Sequence, residues 1–252
     1  MDGVLYRGEE AIPGAREFLH AIREQPHLFI TNNSSATPEA IAEKLARLGF
    51  AGIAPERILT SALATAEFLH RETPGFRYFA VGGTGLHAAL AALGTETAVQ
   101  PDYVVVGEGP GLTYESLTTG LDCLLRGKAR LVGTNPDANL DGSMNGRPAV
   151  LPGGGALTAP FAVAAGVQPL FIGKPEPWLY QEALRRLGVA AAQAAMVGDR
   201  PDTDIKGAAA LGMMTVLVRT GRFGPAQTYP KGLPRPDFDV NRLAELRLDD
   251  LR

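Results

Sequence analysis

A chain of 252 residues that is 45% hydrophobic and 20% charged, with a net charge of −3, has enough apolar material for a sizeable core and is not composed like a disordered chain. It has no basic tract of the kind that neutralises a nucleic-acid backbone, which excludes nucleic acid as an expected partner but leaves room for a small phosphate-bearing molecule. No stretch reaches the roughly 18 apolar residues of a membrane span, no signal peptide is expected, and the lone Cys123 permits neither an internal disulfide nor a zinc cluster, so a cytoplasmic protein is expected.

In chain order, Pro13 to Arg23 reads as a helix opened by proline and Leu28 to Ile30 as a buried strand. Thr37-Pro38-Glu39 starts the next helix, with a threonine cap and proline at its first position, and Gly49 ends it. Ile58 to Thr60 is a short strand, followed by a helix over Ala62 to His70. In the middle of the chain, Tyr78 to Val81, Tyr103 to Val106 and Arg130 to Val132 read as strands. Leu86 to Leu93 and Tyr114 to Leu125 read as helices, the second burying Cys123. Asn135 to Gly155, rich in Asn, Asp, Gly and Pro, reads as loops, and Thr158 to Ala165 as a helix. Leu170 to Ile172, Ala195 to Val197 and Thr215 to Val218 are strands, separated by helices at Trp178 to Leu187 and Asp204 to Leu211. Trp178 and Tyr180 read as packing residues.

This alternation predicts an α/β fold with a mostly parallel sheet and helices on its faces. The strand count is about twice what one small doubly wound sheet needs. The expectation is therefore a core built from 1–61 and 169–252, with 62–168 inserted as a second α/β domain.

Three stretches are rich in glycine, and the first invites a dinucleotide reading. Gly82-Gly83-Thr84-Gly85 follows a strand and opens a helix, but its spacing is not GxGxxG and no acidic partner follows, so it reads as a tight turn. Gly107-Glu108-Gly109-Pro110-Gly111 reads as a surface turn. Gly153-Gly154-Gly155 precedes a helix, where its amides meet an anion or make a close packing bend.

Four polar clusters stand apart. Asp2-Gly3 opens the chain, Thr31-Asn32-Asn33-Ser34-Ser35 ends the first long strand, Gly173-Lys174-Pro175 follows another, and Gly198-Asp199-Arg200-Pro201-Asp202-Thr203-Asp204 a third. Ligands of open parallel sheets bind beyond the carboxyl ends of the strands, so clusters at such ends can converge. Their chemistry suits phosphoryl transfer: carboxylates for Mg2+, a lysine for phosphate oxygens, hydroxyl and amide donors for the transferred group. Taken singly, Ser34 and Thr37 also serve as helix caps, Asp199 and Asp204 as turn residues, and Lys174 as a solvated charge.

At these residues the sequence resembles the haloacid dehalogenase (HAD) superfamily, and within it the NagD-like, 4-nitrophenylphosphatase-like class IIA phosphatases. That family has Asp-x-Asp-Gly, Thr-Asn-Asn-Ser, Gly-Lys-Pro and Gly-Asp-x-x-x-Thr-Asp in this order. The counterparts here are Met1-Asp2-Gly3, Thr31 to Ser34, Gly173 to Pro175 and Gly198 to Asp204; Thr134-Asn135-Pro136-Asp137 and Arg219-Thr220-Gly221 are further landmarks.

The resemblance implies a HAD-like Rossmannoid core with an inserted class II cap, and Mg2+-dependent hydrolysis of small phosphomonoesters through an aspartyl-phosphate. Phosphoglycolate, pyridoxal phosphate, nucleotides and sugar phosphates are family substrates. Asp2 would be the general acid and, by its carbonyl, a metal ligand. Thr31 would hold a phosphate oxygen together with Asn32 and Asn33. Lys174 would neutralise phosphate and orient the nucleophile. Asp199 would bind Mg2+, with Asp204 supporting the metal shell. Asp137, in the cap, would contact substrate or else stabilise a turn of the cap, and the cap would offer a homodimer surface. One departure stands out. The nucleophilic aspartate belongs two positions before Asp2, so it and its strand are expected upstream of Met1, and the 252-residue chain is expected to be impaired. Non-catalytic binding of a phosphometabolite and a HAD-type phosphotransferase are the alternatives.

Overall fold

The computed structural model describes residues 1–247. The chain forms two compact units, one from Met1–Ile30, Ile41–Ile58 and the chain from Lys174 on, the other from Thr31–Ala40 and Leu59–Gly173.

In the first unit, Ala195–Gly198, Met214–Val218 and Phe238–Val240 form a parallel sheet with Met214–Val218 in the middle. Val216, Leu217 and Val218 are fully buried, as expected of a strand covered on both faces. The Pro177–Leu187 helix has proline in its first turn, Arg185 and Arg186 in its last, and Gly188 in the left-handed conformation just beyond it. It buries Leu179 and Tyr180, and the Tyr180 hydroxyl donates to the Thr203 carbonyl at 2.9 Å. Instead of one helix from Asp204, a π-type turn over Pro201–Ile205 leads into the short Lys206–Ala210 helix. Two small strands, Tyr6–Arg7 and Glu10–Ala11, pair as a hairpin that the sequence did not announce.

A cavity of about 350 Å³ lies in this unit. Leu28, Phe29 and Ile30 line it together with Ala195 to Gly198, and helix residues Phe18, Leu19, Ala183 and Leu184 cover it. Among the described residues, Ala195–Gly198 pairs only with Met214–Val218, and Phe29–Thr31 only with Ile58–Thr60. Each strand therefore keeps one backbone edge without a ladder partner, and both strands line the same apolar cavity. Met1, Lys174 and Asp204 also line it.

The second unit has a five-stranded parallel sheet in the order Leu170–Phe171, Arg130–Gly133, Tyr103–Val106, Arg77–Val81, Thr95–Glu96. The central Tyr103–Val106 strand is buried throughout, and Val104 and Val106 pack with Phe161 and Cys123. The Tyr114–Leu125 helix begins with a capping box between Thr113 and Ser116.

The loop reading of 135–155 is corrected here. Asn139–Met144 and Arg147–Pro152 form an antiparallel hairpin. Asn145 and Gly146 at its tip have φ of 53° and 74°, the positive values that a two-residue primed turn requires. The following helix also starts earlier than its periodicity suggests, spanning Gly154–Ala165. Among the described residues no helix is long and apolar enough to cross a membrane.

Candidate active site

Lys174 and Asp204 form a buried ion pair in the first unit, at the centre of the candidate site. Lys174 follows the end of the Leu170–Phe171 segment, and the π-type turn swings Asp204 back beneath the end of the Ala195–Gly198 strand. The Lys174 Nζ donates to Asp204 Oδ1 at 2.6 Å, and both residues are buried. Asp204 Oδ2 accepts from the amides of Asp199 and Arg200, both at 3.1 Å. The lysine charge and these donors hold the Asp204 carboxyl below the usual carboxylate range although burial opposes its ionisation.

Asp199 sits beside this pair in a cradle of backbone. Its Oδ2 accepts from the Arg222 amide at 3.0 Å, and among the described residues no other hydrogen bond reaches its carboxylate. Gly3 and Gly221 both approach so closely that a Cβ on either would run into this carboxylate, and Gly3 has φ of 75°. Thr220 Oγ1 donates to the Gly3 carbonyl at 2.7 Å, tying the opening turn to the turn at 220–222. Burial, and then the Asp204 charge, push Asp199 up to about 6, against the pull of the chain's amino group, the Arg222 amide and Lys174.

The Met1–Gly3 turn packs beside Asp199 in the same unit. Val4 and Leu5 amides donate to the Met1 carbonyl, and Gly3 N–H donates to the Tyr6 carbonyl at 2.8 Å. Burial, and then Lys174, drive the Met1 amino group down, while Asp199, Asp204 and Asp2 pull it up. The Asp2 residue itself is exposed.

The remaining predicted site residues come together in the second unit. Thr31 Oγ1 accepts from the Asn33 amide at 3.2 Å, and Asn33 braces its own turn by accepting from the Ala36 amide. Asn32 Nδ2 donates to Asp137 Oδ2 at 2.8 Å, joining two residues 105 positions apart. The Asn32 carbonyl accepts from Ser61 Oγ at 2.6 Å and from Asn135 Nδ2 at 2.7 Å.

Two glycine-rich readings are refined. Of the 107–111 stretch, Gly107 and Glu108 are buried and only 109–111 lies at the surface. At 153–155, the amides of Gly153 and Gly155 donate to the Ala138 and Asp137 carbonyls, so that stretch is a packing bend against 135–138 and its amides are not aimed at an anion.

Glu108 is the polar residue that sequence reasoning missed, because its glycine neighbours suggested exposure. Its carboxyl is pushed up to about 7, chiefly by burial, against hydrogen bonds from Asn135 and Ser34 and with a smaller upward push from Asp137. The folded form keeps this proton to higher pH than an unfolded carboxyl near 4.5 does. Its contribution to stability is therefore lost as pH rises from about 4.5 to about 7 and is constant above. Urea unfolding across that window should show the unaltered protein losing on the order of 2 kcal/mol more than Glu108→Gln. Parallel pH profiles for the two proteins would contradict this.

Among the described residues, no group of three or more His, Cys, Asp or Glu side chains stands ready to hold a metal. The donor set still fits a hard cation: Asp199 offers a carboxylate with one amide donor, next to the backbone of the opening turn. Asp204 is committed to Lys174 and to two amides.

Residues 1–96 match the family model described as haloacid dehalogenase-like hydrolase, and residues 171–246 match a second, HAD-hydrolase-like model. An acid sugar phosphatase of Staphylococcus saprophyticus is 40% identical over 250 residues, with 98% of this chain and 94% of the relative covered. The acid sugar phosphatase of Staphylococcus aureus is 41% identical over 252 residues, covering 97% and 93%. Among solved structures, NagD of E. coli superposes with a TM-score of 0.86 at 31% identity, covering 98% of this chain and 95% of that one. A thermostable NPPase of Geobacillus stearothermophilus gives 0.87 at 33% identity, covering 98% and 95%.

Proposed function

We infer the function from family membership: the chain belongs to the haloacid dehalogenase-like hydrolases, and within them to the NagD-like class IIA phosphatases. The reaction we propose is Mg2+-dependent hydrolysis of small phosphomonoesters, sugar phosphates first among them, with p-nitrophenyl phosphate as a test substrate. The observation that carries this reading is the buried Lys174–Asp204 pair with Asp199 alongside, 2.6 Å separating Nζ from Oδ1. A buried ion pair of this kind stabilises little by itself, and it places a cation and an available carboxylate side by side at a strand end.

In this reading, Thr31 Oγ1 and the Asn32 amide hold phosphate oxygens, and Lys174 neutralises their charge. The nucleophile is an aspartate, as a reaction through an aspartyl-phosphate requires. The nucleophile's carboxylate oxygen bonds to phosphorus as the ester bond breaks, and Asp2 gives its proton to the departing oxygen. Asp2 then takes a proton from water, which attacks phosphorus and frees phosphate and the aspartate. Asp199 would hold Mg2+, which would supply positive charge against the transferring phosphoryl group, and Asp204 would support that site through Lys174 and the Asp199 amide. Residues 62–168 act as the cap that excludes water and chooses the leaving group, and Asp137 contacts the substrate.

The test is phosphate release by the protein extended through its upstream reading frame, with Mg2+ present and then chelated. Release that chelation abolishes supports the reading, and release indifferent to chelation overturns its metal dependence. Transfer of the phosphoryl group to an added alcohol would instead identify a phosphotransferase. Binding without turnover in the extended protein would identify a non-catalytic phosphometabolite-binding protein.

A further inference from the structure

Beyond the residues assigned so far, the second unit contains a buried polar cluster in which the Glu108 carboxylate is bonded to the turn at Ser34. Ser34 and Glu108 bond reciprocally: the Glu108 amide donates to Ser34 Oγ at 2.8 Å, and the Ser34 amide donates to Glu108 Oε2 at 3.3 Å. Asn135 Nδ2 then spends both its hydrogens on this cluster, one on Glu108 Oε1 at 2.9 Å and one on the Asn32 carbonyl at 2.7 Å. Thr134 Oγ1 adds a bond to Ser34 Oγ at 3.0 Å. Ser34, Thr134 and Asn135 are fully buried and Glu108 is 5% exposed.

This is an expensive way to hold a loop. Among the described residues no Lys or Arg pairs with Glu108, so its charge is met only by neutral N–H groups. A leucine and a few extra apolar contacts would glue the unit together at lower cost. What the carboxylate adds is direction: two acceptors with fixed spacing, one for the Ser34 amide and one for the Asn135 side chain that also holds the Asn32 carbonyl. Close packing enforces the arrangement, since a Cβ on Gly107 would lie 2.8 Å from Ser34 Oγ.

We propose that Glu108 is a positioning residue for substrate binding: through Ser34 directly and Asn32 by way of Asn135, its carboxylate holds the 31–34 segment in the shape that receives phosphate. The inference rests on the reading that Thr31 and Asn32 hold phosphate oxygens. It deepens that reading by assigning a role to a residue 74 positions from the turn it holds. Gln in its place keeps one acceptor and turns an N–H₂ toward a donor, so one of the two bonds is lost while the volume is unchanged.

The experiment is calorimetric titration with inorganic phosphate at pH 8 in the presence of Mg2+, on the unaltered protein, Thr31→Ala and Glu108→Gln. Folding of each is followed by urea unfolding in the same buffer. Glu108→Gln should raise the phosphate Kd about tenfold, the equivalent of one hydrogen bond, with cooperative unfolding retained. A residue that merely glues the unit together would change the unfolding midpoint and leave this Kd alone. An unchanged Kd in Glu108→Gln, with Thr31→Ala weakened, overturns the role of Glu108 and leaves the phosphate site standing. Absence of phosphate binding in the unaltered protein overturns the site reading and this role with it. Should Glu108→Gln not fold, Glu108→Asp takes its place, keeping the charge but falling short of Ser34 and Asn135. The same rise in Kd is then expected, and an unaltered Kd contradicts the proposal.

Discussion

Lys174→Met should lower stability by about 3–5 kcal/mol, a cost typical of stranding one member of a buried ion pair. Asp204 is 2% exposed and its Oδ1 takes the Lys174 ammonium at 2.6 Å. Methionine fills a similar volume and supplies no charge, so Asp204 must either stay ionised in a poor environment or take up a proton. Two further consequences follow. The Asp204 carboxyl, held down mainly by Lys174 against burial, should rise. Replacing both residues, Lys174→Met with Asp204→Leu, should restore part of the lost stability because neither charge is then stranded, although the amides of Asp199 and Arg200 lose their acceptor. Urea unfolding of the two single variants and the double variant measures this coupling. Additive losses would mean that the pair contributes nothing as a pair.

Asp199→Asn should act in the opposite sense on stability and activity. Burial and the neighbouring Asp204 already oppose its charge, pushing the carboxyl up to about 6, so removing the charge should leave stability unchanged or raise it at neutral pH. Phosphate release by the extended protein should nevertheless fall by about 10²–10³, the usual cost of removing one preorganised charge-stabilising group. The small size of the change favours a clean reading, since Gly3 and Gly221 pack against this side chain and tolerate no larger one. Steady-state rates with p-nitrophenyl phosphate, taken alongside thermal unfolding, check both halves. Loss of stability with retained turnover would place Asp199 in the framework and outside the chemistry.

Much of the fold is legible in the chain because its strands are buried on both faces. Tyr103 to Val106 and Val216 to Val218 read as unbroken apolar runs, and helices such as Tyr114–Leu125 are bounded by caps that leave a local signature. The hairpin at 139–152 was misread for a physical reason: its strands pair with each other and pack little, so composition looked like loop. The Asn145-Gly146 turn was the signal that could have found it. Tyr6–Arg7, Glu10–Ala11 and Phe238–Val240 are two or three residues long and lie below any periodicity.

The site divides along similar lines. Lys174, Asp199 and Asp204 were readable because each sits in a short motif that ends a strand. Glu108 was not, since its partners Ser34 and Asn135 are 74 and 27 residues away and only tertiary structure brings them together. Nor does sequence alone reveal the cavity, since Leu28 to Ile30 and Ala195 to Gly198 line it together only in the folded unit.

The central proposal is that Lys174, Asp199, Asp204 and the opening turn form a Mg2+-dependent phosphatase site. The most direct test measures phosphate release from a panel of sugar phosphates by the extended protein and by its Asp199→Asn variant, with Mg2+ present and then chelated. Turnover that needs Mg2+ and is lost in the variant is the predicted result. Turnover that neither chelation nor the substitution lowers would contradict it.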